Sequence, residues 1–238
     1  MKRSDLLIII PAYNESGNLH KTVGMIKEEA EEFDYVIIND CSTDDTLEIC
    51  RESLYNVIDL PINLGIGGAV QTGYKYALER GYKYAVQIDG DGQHNPRYIK
   101  AMLELLRENA LDMVIGSRFI EKEGFQSSLS RRIGISFLEK LIKLLTKKKI
   151  TDPTSGLRLV NEKIIKLFAD HYPTDYPEPE TIVALLESGF TIKEIPVVMN
   201  SREHGTSSIT LNRSIYYMIK VSMAMLIAKL NGGYRSYD

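Results

Sequence analysis

Asp5-Leu6-Leu7-Ile8-Ile9-Ile10-Pro11 is unbroken in its apolar character from Leu6 onward, and Asn18 to Phe33 after it carries Leu19, Val23, Ile26 and Ala30 at helical spacing. The first segment has no polar face, as expected of a strand covered on both sides. The second repeats its apolar positions every three or four residues, which gives a helix one buried stripe. The same pair recurs down the chain. Strands are expected at Tyr35 to Ile38, Tyr55 to Leu60, Tyr84 to Ile88 and Asp112 to Ile115, with helices at Asp44 to Ser53, Gly67 to Arg80 and Pro96 to Asn109. This alternation predicts an α/β fold with a doubly wound, mostly parallel sheet and helices on both faces. Functional loops then belong at the carboxyl ends of the strands.

Beyond Gly116 the regularity breaks. Glu121 to Ser130 reads as a polar loop, Arg131 to Lys149 as a helix with a basic end, and Thr151 to Arg158 as a loop feeding a strand at Leu157 to Val160. Asn161 to Ala169 reads as helical, His171 to Pro179 as irregular and Glu180 to Ser188 as helical again. A strand over Thr191 to Met199, a polar loop over Asn200 to Ser208 and a long helix over Leu211 to Leu230 follow. The expected division is a catalytic unit over residues 1–210 and a terminal apolar helix with its tail over 211–238.

A chain of 238 residues, 44% hydrophobic and 26% charged, can bury a sizeable core in one such domain. Its formal net charge of -3 provides no global field for nucleic acid, so no nucleic-acid partner is expected. The two cysteines, Cys41 and Cys50, make no disulfide framework and suit a reducing compartment. Met1 to Asp5 is polar and the run after it is too short for a secretory leader. No apolar stretch reaches the ~18 residues of a spanning helix.

The strongest chemical signal is Asp89-Gly90-Asp91-Gly92-Gln93-His94, directly after the fourth expected strand. Two carboxylates at i and i+2 with glycines between them can converge on one hard cation, Mg²⁺ or Mn²⁺, and such a cation neutralises a diphosphate leaving group. Gln93 can add an amide oxygen; His94 is either a ligand or a structural donor. The bland alternative is an Asp/Gly turn. An EF-hand fits poorly, because Lys100 stands where its bidentate Glu belongs. Pro11-Ala12-Tyr13-Asn14-Glu15 and Asn39-Asp40 close the first two strands on the same rim and offer an aromatic ring and carboxylates to a nucleoside. Asn14 and Ser42 read equally well as helix caps. Asn63-Leu64-Gly65-Ile66-Gly67-Gly68-Ala69 is a glycine-rich turn that can bring the Gly67 backbone near phosphate or ribose.

Seven segments in order resemble glycosyltransferase family 2, of GT-A fold, and within it the polyprenyl-phosphate sugar transferases of the dolichyl-phosphate mannose synthase type. They are Pro11 to Glu15, Asn39-Asp40 with Ser42 to Asp44, Asn63 to Ala69, Asp89 to His94, Gly116-Ser117-Arg118, Asp152 to Arg158, and Arg202 to Ser207. The resemblance implies that Pro11, Ala12, Tyr13, Glu15 and Asp40 hold the donor nucleoside, with Asp89 and Gly67 on the donor side. It implies a metal at Asp89, Asp91 and Gln93, and catalytic roles for Asp91, Arg118 and Arg202, the last folding over the donor diphosphate. Arg118, Arg132 and Ser136 match positions that meet the acceptor phosphate. The expected reaction is an inverting, metal-dependent transfer of a sugar from a nucleoside diphosphate to a polyprenyl phosphate. The alternative acceptor is a saccharide hydroxyl in cell-surface polysaccharide synthesis, for which Glu178 or Glu180 would be the candidate base. A nucleotidyltransferase also uses strand-end carboxylates, but its glycine- and basic-rich first loop is replaced here by Pro11 to Glu15.

Ile215 to Leu230 is apolar over most of its faces and must be covered by something. The candidates are the enzyme's own core or a second subunit, a membrane surface, and a small membrane-protein partner. The expected location is cytoplasmic, peripheral at the inner face of the cell membrane.

Overall fold

The computed structural model describes residues 4–121, 123, 129–200 and 211–234. In chain order the elements are β1 (Leu6–Ala12), α1 (Leu19–Glu29), β2 (Asp34–Asn39), α2 (Thr46–Glu52), β3 (Val57–Asp59), α3 (Gly65–Glu79), β4 (Tyr84–Gln87) and α4 (Tyr98–Glu108). They continue with β5 (Met113–Ser117), α5 (Leu129–Thr146), β6 (Arg158–Asn161), α6 (Glu162–Asp170), α7 (Pro177–Glu187), β7 (Ile192–Pro196) and α8 (Leu211–Leu230). The expected α/β layering is present: one seven-stranded sheet in the order β3-β2-β1-β4-β6-β5-β7, with helices on both faces.

Every residue of β1 is buried, because side chains of both pleats meet a layer of helices. Leu7 and Ile9 enter one core with Val70, Tyr74 and Phe168; Leu6, Ile8 and Ile10 enter the other with Val23, Ile26 and Met102. Close approach sets one position on α3: a Cβ at Gly73 would stand 2.2 Å from Ile9 Cγ2, so only a bare Cα lets the helix lie on the sheet there.

The sheet is parallel except at β6, which runs antiparallel to both neighbours, β4 and β5. The carboxyl ends of β1, β2, β4 and β5 therefore share an edge with the residues that precede β6. α7 also differs from expectation. It begins at Pro177 rather than Glu180, since proline at the first helical position gives up an N–H that has no intrahelical acceptor anyway. α8 packs on α5 and α7, and places Val221 and Met225 in the core. Among the described residues no helix is long and apolar enough to cross a membrane.

Candidate active site

The rim is assembled from strand ends. Ala12 pairs with Asn39 in register, and the Asp40 amide donates to the Ala12 carbonyl at 2.9 Å. The Ile88 amide donates to Ile9 at 3.0 Å, which sets Asp89 beside the end of β1. Behind it, Thr22 Oγ1 of α1 donates to the Gly90 carbonyl at 3.1 Å and holds the turn down. Gly92 sits at φ 72°, and Asp91 Oδ1 accepts the Gln93 amide at 3.1 Å.

Asp89 is held from several sides. Gln87 Nε2, on the same pleat two residues earlier, donates to its Oδ1 at 3.1 Å. The Gly156 Cα backs the carboxylate so closely that a Cβ there would lie 2.8 Å from each oxygen. The Asp89 amide donates to His94 Nδ1 at 3.2 Å, so His94, buried at 2% exposure, shapes the turn. His94 thereby has a structural role in the turn.

On the donor side, Asp40 is buried and its Oδ1 accepts the Leu64 amide at 2.7 Å, while Asn63 Nδ2 donates to the Asp40 carbonyl. Glu15 Oε2 accepts from Asn18 Nδ2 at 2.6 Å, Pro11 and Ala12 are buried beside it, and the Tyr13 ring is half exposed. Asn14 and Ser42 do not cap helices. The Asn14 amide donates to Ser42 Oγ and Asn14 Oδ1 accepts the Thr43 amide, which ties the first two rim loops together. Gly67 also departs from expectation. Its amide donates to the Thr174 carbonyl at 3.1 Å, and a Cβ would stand 2.1 Å from the Pro173 oxygen. Glycine is needed there for the α6–α7 loop to reach α3, and its N–H is spent on that loop rather than on a phosphate.

Among the residues expected to meet the acceptor, Arg118 is buried and forked onto Asp152, with Nε–Oδ2 and Nη2–Oδ1 both 2.6 Å, and Nη2 also reaches Thr154 Oγ1. Asp152 is in turn fixed by its amide donating to Glu194 of β7 at 2.9 Å, and Glu194 also receives the Thr151 amide and hydroxyl. Arg118 thus serves as an oriented element rather than a swinging cation. Arg132 and Ser136 lie one turn apart on α5, the arginine exposed. The neighbouring Arg131 is electrostatically coupled to the site. Desolvation lowers its pKa, Arg118 lowers it further, and Tyr217, Asp152 and Asp89 pull it back. Arg202 lies outside the described residues.

Glu178, at the start of α7, is half buried and close enough to feel both Arg158 and Asp89. Desolvation raises its carboxyl, Arg158 and a backbone N–H oppose that, and Asp89 raises it again.

The donor set suits a cation shared with a diphosphate. Among the described residues no group of three or more His, Cys, Asp or Glu forms a closed metal cage. Two rim carboxylates with the remaining positions left to phosphate oxygens and water is how Mg²⁺ and related hard ions are bound. Gln93 Nε2 donates to the Asn200 carbonyl and the Gln93 backbone carbonyl accepts the Asn200 amide, which ties the turn to the segment after β7. Two buried amide oxygens at the rim, Asn39 Oδ1 and Gln87 Oε1, have no partner, the kind of exception that collects at ligand sites. Gln87 and Glu194 were not singled out from the sequence, and Gly156 was quoted only within the Asp152 to Arg158 segment; Gln87, polar inside an apolar strand, carried a visible signal.

The sequence model of glycosyl transferase family 2 matches residues 7–168. A UDP-N-acetylglucosamine–dolichyl-phosphate N-acetylglucosaminyltransferase of Methanococcus voltae is 26% identical, over 94% of this chain and 96% of its own length. An undecaprenyl-phosphate mannosyltransferase of Micrococcus luteus is 29% identical, over 86% and 87%. Among solved structures, glucosyl-3-phosphoglycerate synthase of Mycobacterium tuberculosis, in complex with Mn²⁺, UDP-glucose and phosphoglyceric acid, superposes with a TM-score of 0.71 at 17% identity, covering 95% of this chain and 80% of that one. That likeness shows the GT-A fold.

Proposed function

The chain belongs to glycosyl transferase family 2, and from that premise we propose that it moves a sugar, with inversion, from a nucleoside diphosphate sugar to a polyprenyl phosphate, with Mg²⁺ or Mn²⁺ at Asp89 and Asp91. The observation that carries the reading is the seating of Asp89 between Gln87 and Gly156, on the same rim as the Arg118–Asp152 pair. The two relatives, whose names specify dolichyl and undecaprenyl phosphate, support the acceptor.

In this reading Pro11, Ala12, Tyr13, Glu15 and Asp40 cradle the nucleoside. Bound metal supplies positive charge to the departing diphosphate. Arg118, fixed by Asp152, and Arg131 with Arg132 at the head of α5 orient the acceptor phosphate. A phosphate oxygen attacks the anomeric carbon, the bond to the nucleoside diphosphate breaks on the opposite face, and configuration inverts. A phosphate is already ionised near neutral pH, so no protein base is required. Its lipid-borne acceptor places the enzyme peripherally at the inner face of the cell membrane.

Glu178 favours a second reading. A carboxyl raised by burial and facing Asp89 has the makings of a general base, which a saccharide hydroxyl acceptor would need. Incubation with labelled UDP-, GDP- or dTDP-sugars, Mn²⁺ and either undecaprenyl phosphate or an oligosaccharide separates the two. The primary reading expects label in the organic phase as a sugar phospholipid, with equal turnover in Glu178→Gln. Label confined to a water-soluble glycan, lost in Glu178→Gln, would overturn it.

A further inference from the structure

β7 lies at the sheet edge beside β5, and its Ile192 and Glu194, two residues apart, stand on the same pleat. Ile192 packs against the core, as the inner face of an edge strand should. Glu194 follows it inward and is half buried, so its carboxylate needs donors from the protein. It finds three. Oε2 accepts the Thr151 amide at 2.8 Å, and Oε1 accepts the Asp152 amide at 2.9 Å and the Thr151 hydroxyl at 3.0 Å. Burial raises the Glu194 pKa, and these three donors oppose that by favouring the charged form, while the Asp152 charge adds to the rise.

Two routes lead from this carboxylate, and both end on Arg118. The first passes through Asp152. With its amide held by Glu194, Asp152 forks its carboxylate onto the Arg118 guanidinium and also accepts the Arg118 backbone amide at 3.1 Å. The second passes through Thr151. Its single hydroxyl proton goes to Glu194, so the 2.6 Å contact between Thr151 and Ser117 is filled by the Ser117 proton. Ser117 Oγ in turn accepts the Phe119 amide at 3.2 Å. Arg118 is thus bracketed. The residues before and after it are tied to the Thr151 arm, and its own amide and guanidinium to the Asp152 arm. Arg158 offers the contrast: its guanidinium is also buried, but the Pro153 and Ser155 carbonyls and Thr181 Oγ1 hold it.

We infer that Glu194 is a positioning residue of the rim, fixing the guanidinium and the backbone of Arg118 together and so setting the angle at which Arg118 meets the acceptor phosphate. Its purpose rests on the lipid-phosphate reading; the ordering of Arg118 does not, and is measured apart from turnover.

The test is NMR of the full chain, following the side-chain Nε–H signals of arginine. In wild type the Arg118 signal, identified by its loss in Arg118→Lys, should exchange slowly with water. So should the Arg158 signal, identified by its proximity to Thr181. Glu194→Gln keeps the size of the side chain but sets an NH₂ group against a backbone N–H. The Arg118 signal should then exchange about tenfold faster or more, with the Arg158 signal unchanged. Thr151→Val, which cuts only the hydroxyl arm, should give a smaller acceleration. In transfer to undecaprenyl phosphate, Glu194→Gln should lower kcat/KM for that acceptor by about tenfold or more while the donor KM stays as in wild type. Added to Arg118→Lys, the same change should cost little further, because the two residues act as one unit. An Arg118 signal as protected in Glu194→Gln as in wild type overturns the proposal. So does equal acceleration at Arg158, which would mean a general loosening, or an unchanged acceptor kcat/KM beside a freed Arg118. Wild type that transfers nothing to undecaprenyl phosphate sinks the acceptor reading, and the arginine signals still decide the ordering of Arg118.

Discussion

Asp89 and Gly156 touch without a side chain between them: a Cβ at 156 would sit 2.8 Å from both carboxylate oxygens and 3.1 Å from the carbon that bears them. The backbone before β6 is the wall against which the candidate metal ligand rests. Gly156→Ala must therefore push the carboxylate off its place, and displacements of about 1 Å at a reacting centre cost about a hundredfold in rate. Turnover should fall by that order. The metal-dependent part of nucleotide binding, read by calorimetry with and without Mn²⁺, should weaken with it. Wild-type values for both would show that the wall is not a constraint.

Asp91→Asn removes a ligand charge from a turn whose hydrogen bond to the Gln93 amide an asparagine oxygen can keep. Turnover should drop by about a hundredfold or more, with an unchanged melting temperature in the absence of ligand. The extra stabilisation that Mn²⁺ adds to a bound nucleotide should vanish, since a ligand stabilises only to the extent that it binds. A mutant that retains this extra shift would place the metal elsewhere.

Asp152 is fully buried and Arg118 nearly so, and the carboxylate is the arginine's forked partner. Asp152→Ala removes the carboxylate that meets the buried guanidinium through two hydrogen bonds. Such losses cost about 3–5 kcal/mol, and urea denaturation should show a reduction of this size. A change below about 1 kcal/mol would mean that water replaces the carboxylate at little cost.

Glu178 gives a pH signature. Burial raises its folded pKa above the ordinary 4.5, so the folded state holds this proton more tightly than the unfolded chain. The favourable contribution is complete below 4.5 and is lost as pH rises through the folded value. Glu178→Gln, which cannot ionise, should melt higher than wild type at neutral pH, and the gap should close on acidification below 4.5. A gap that widens in acid would mean the carboxylate is stabilised by Arg158 more than it is penalised by burial.

Much of the layering was legible because apolar runs and helical spacing are local properties. The antiparallel course of β6 was not. Its slot between β4 and β5 depends on pairing with residues far away in the chain, Gln87 and Ile115 both meeting Arg158. The start of α7 was missed because Pro177-Glu178-Pro179 contains residues that break helices everywhere except in the first turn. At the site, Asp89, Asp91 and Asp40 were readable from their type and their place after a strand. Gly156 was not, because a steric demand between distant segments leaves no local mark. Gly67 was expected to bring its backbone near phosphate or ribose, but the Thr174 carbonyl takes its amide, a contact set by the α6–α7 loop.

A reversed strand changes what one sheet edge can collect. Parallel strands deliver their last residues to the rim, whereas β6 delivers what comes before it, so Asp152, Thr154 and Gly156 arrive where Asp40, Asp89 and Arg118 already stand. The donor half needs only β1, β2 and β4, but Asp89 gains its wall and Arg118 its counter-ion only when β6 enters between β4 and β5. Completion of the sheet thus doubles as assembly of the catalytic rim, and a chain stalled before that insertion has the carboxylates in place but neither Gly156 behind Asp89 nor Asp152 beside Arg118.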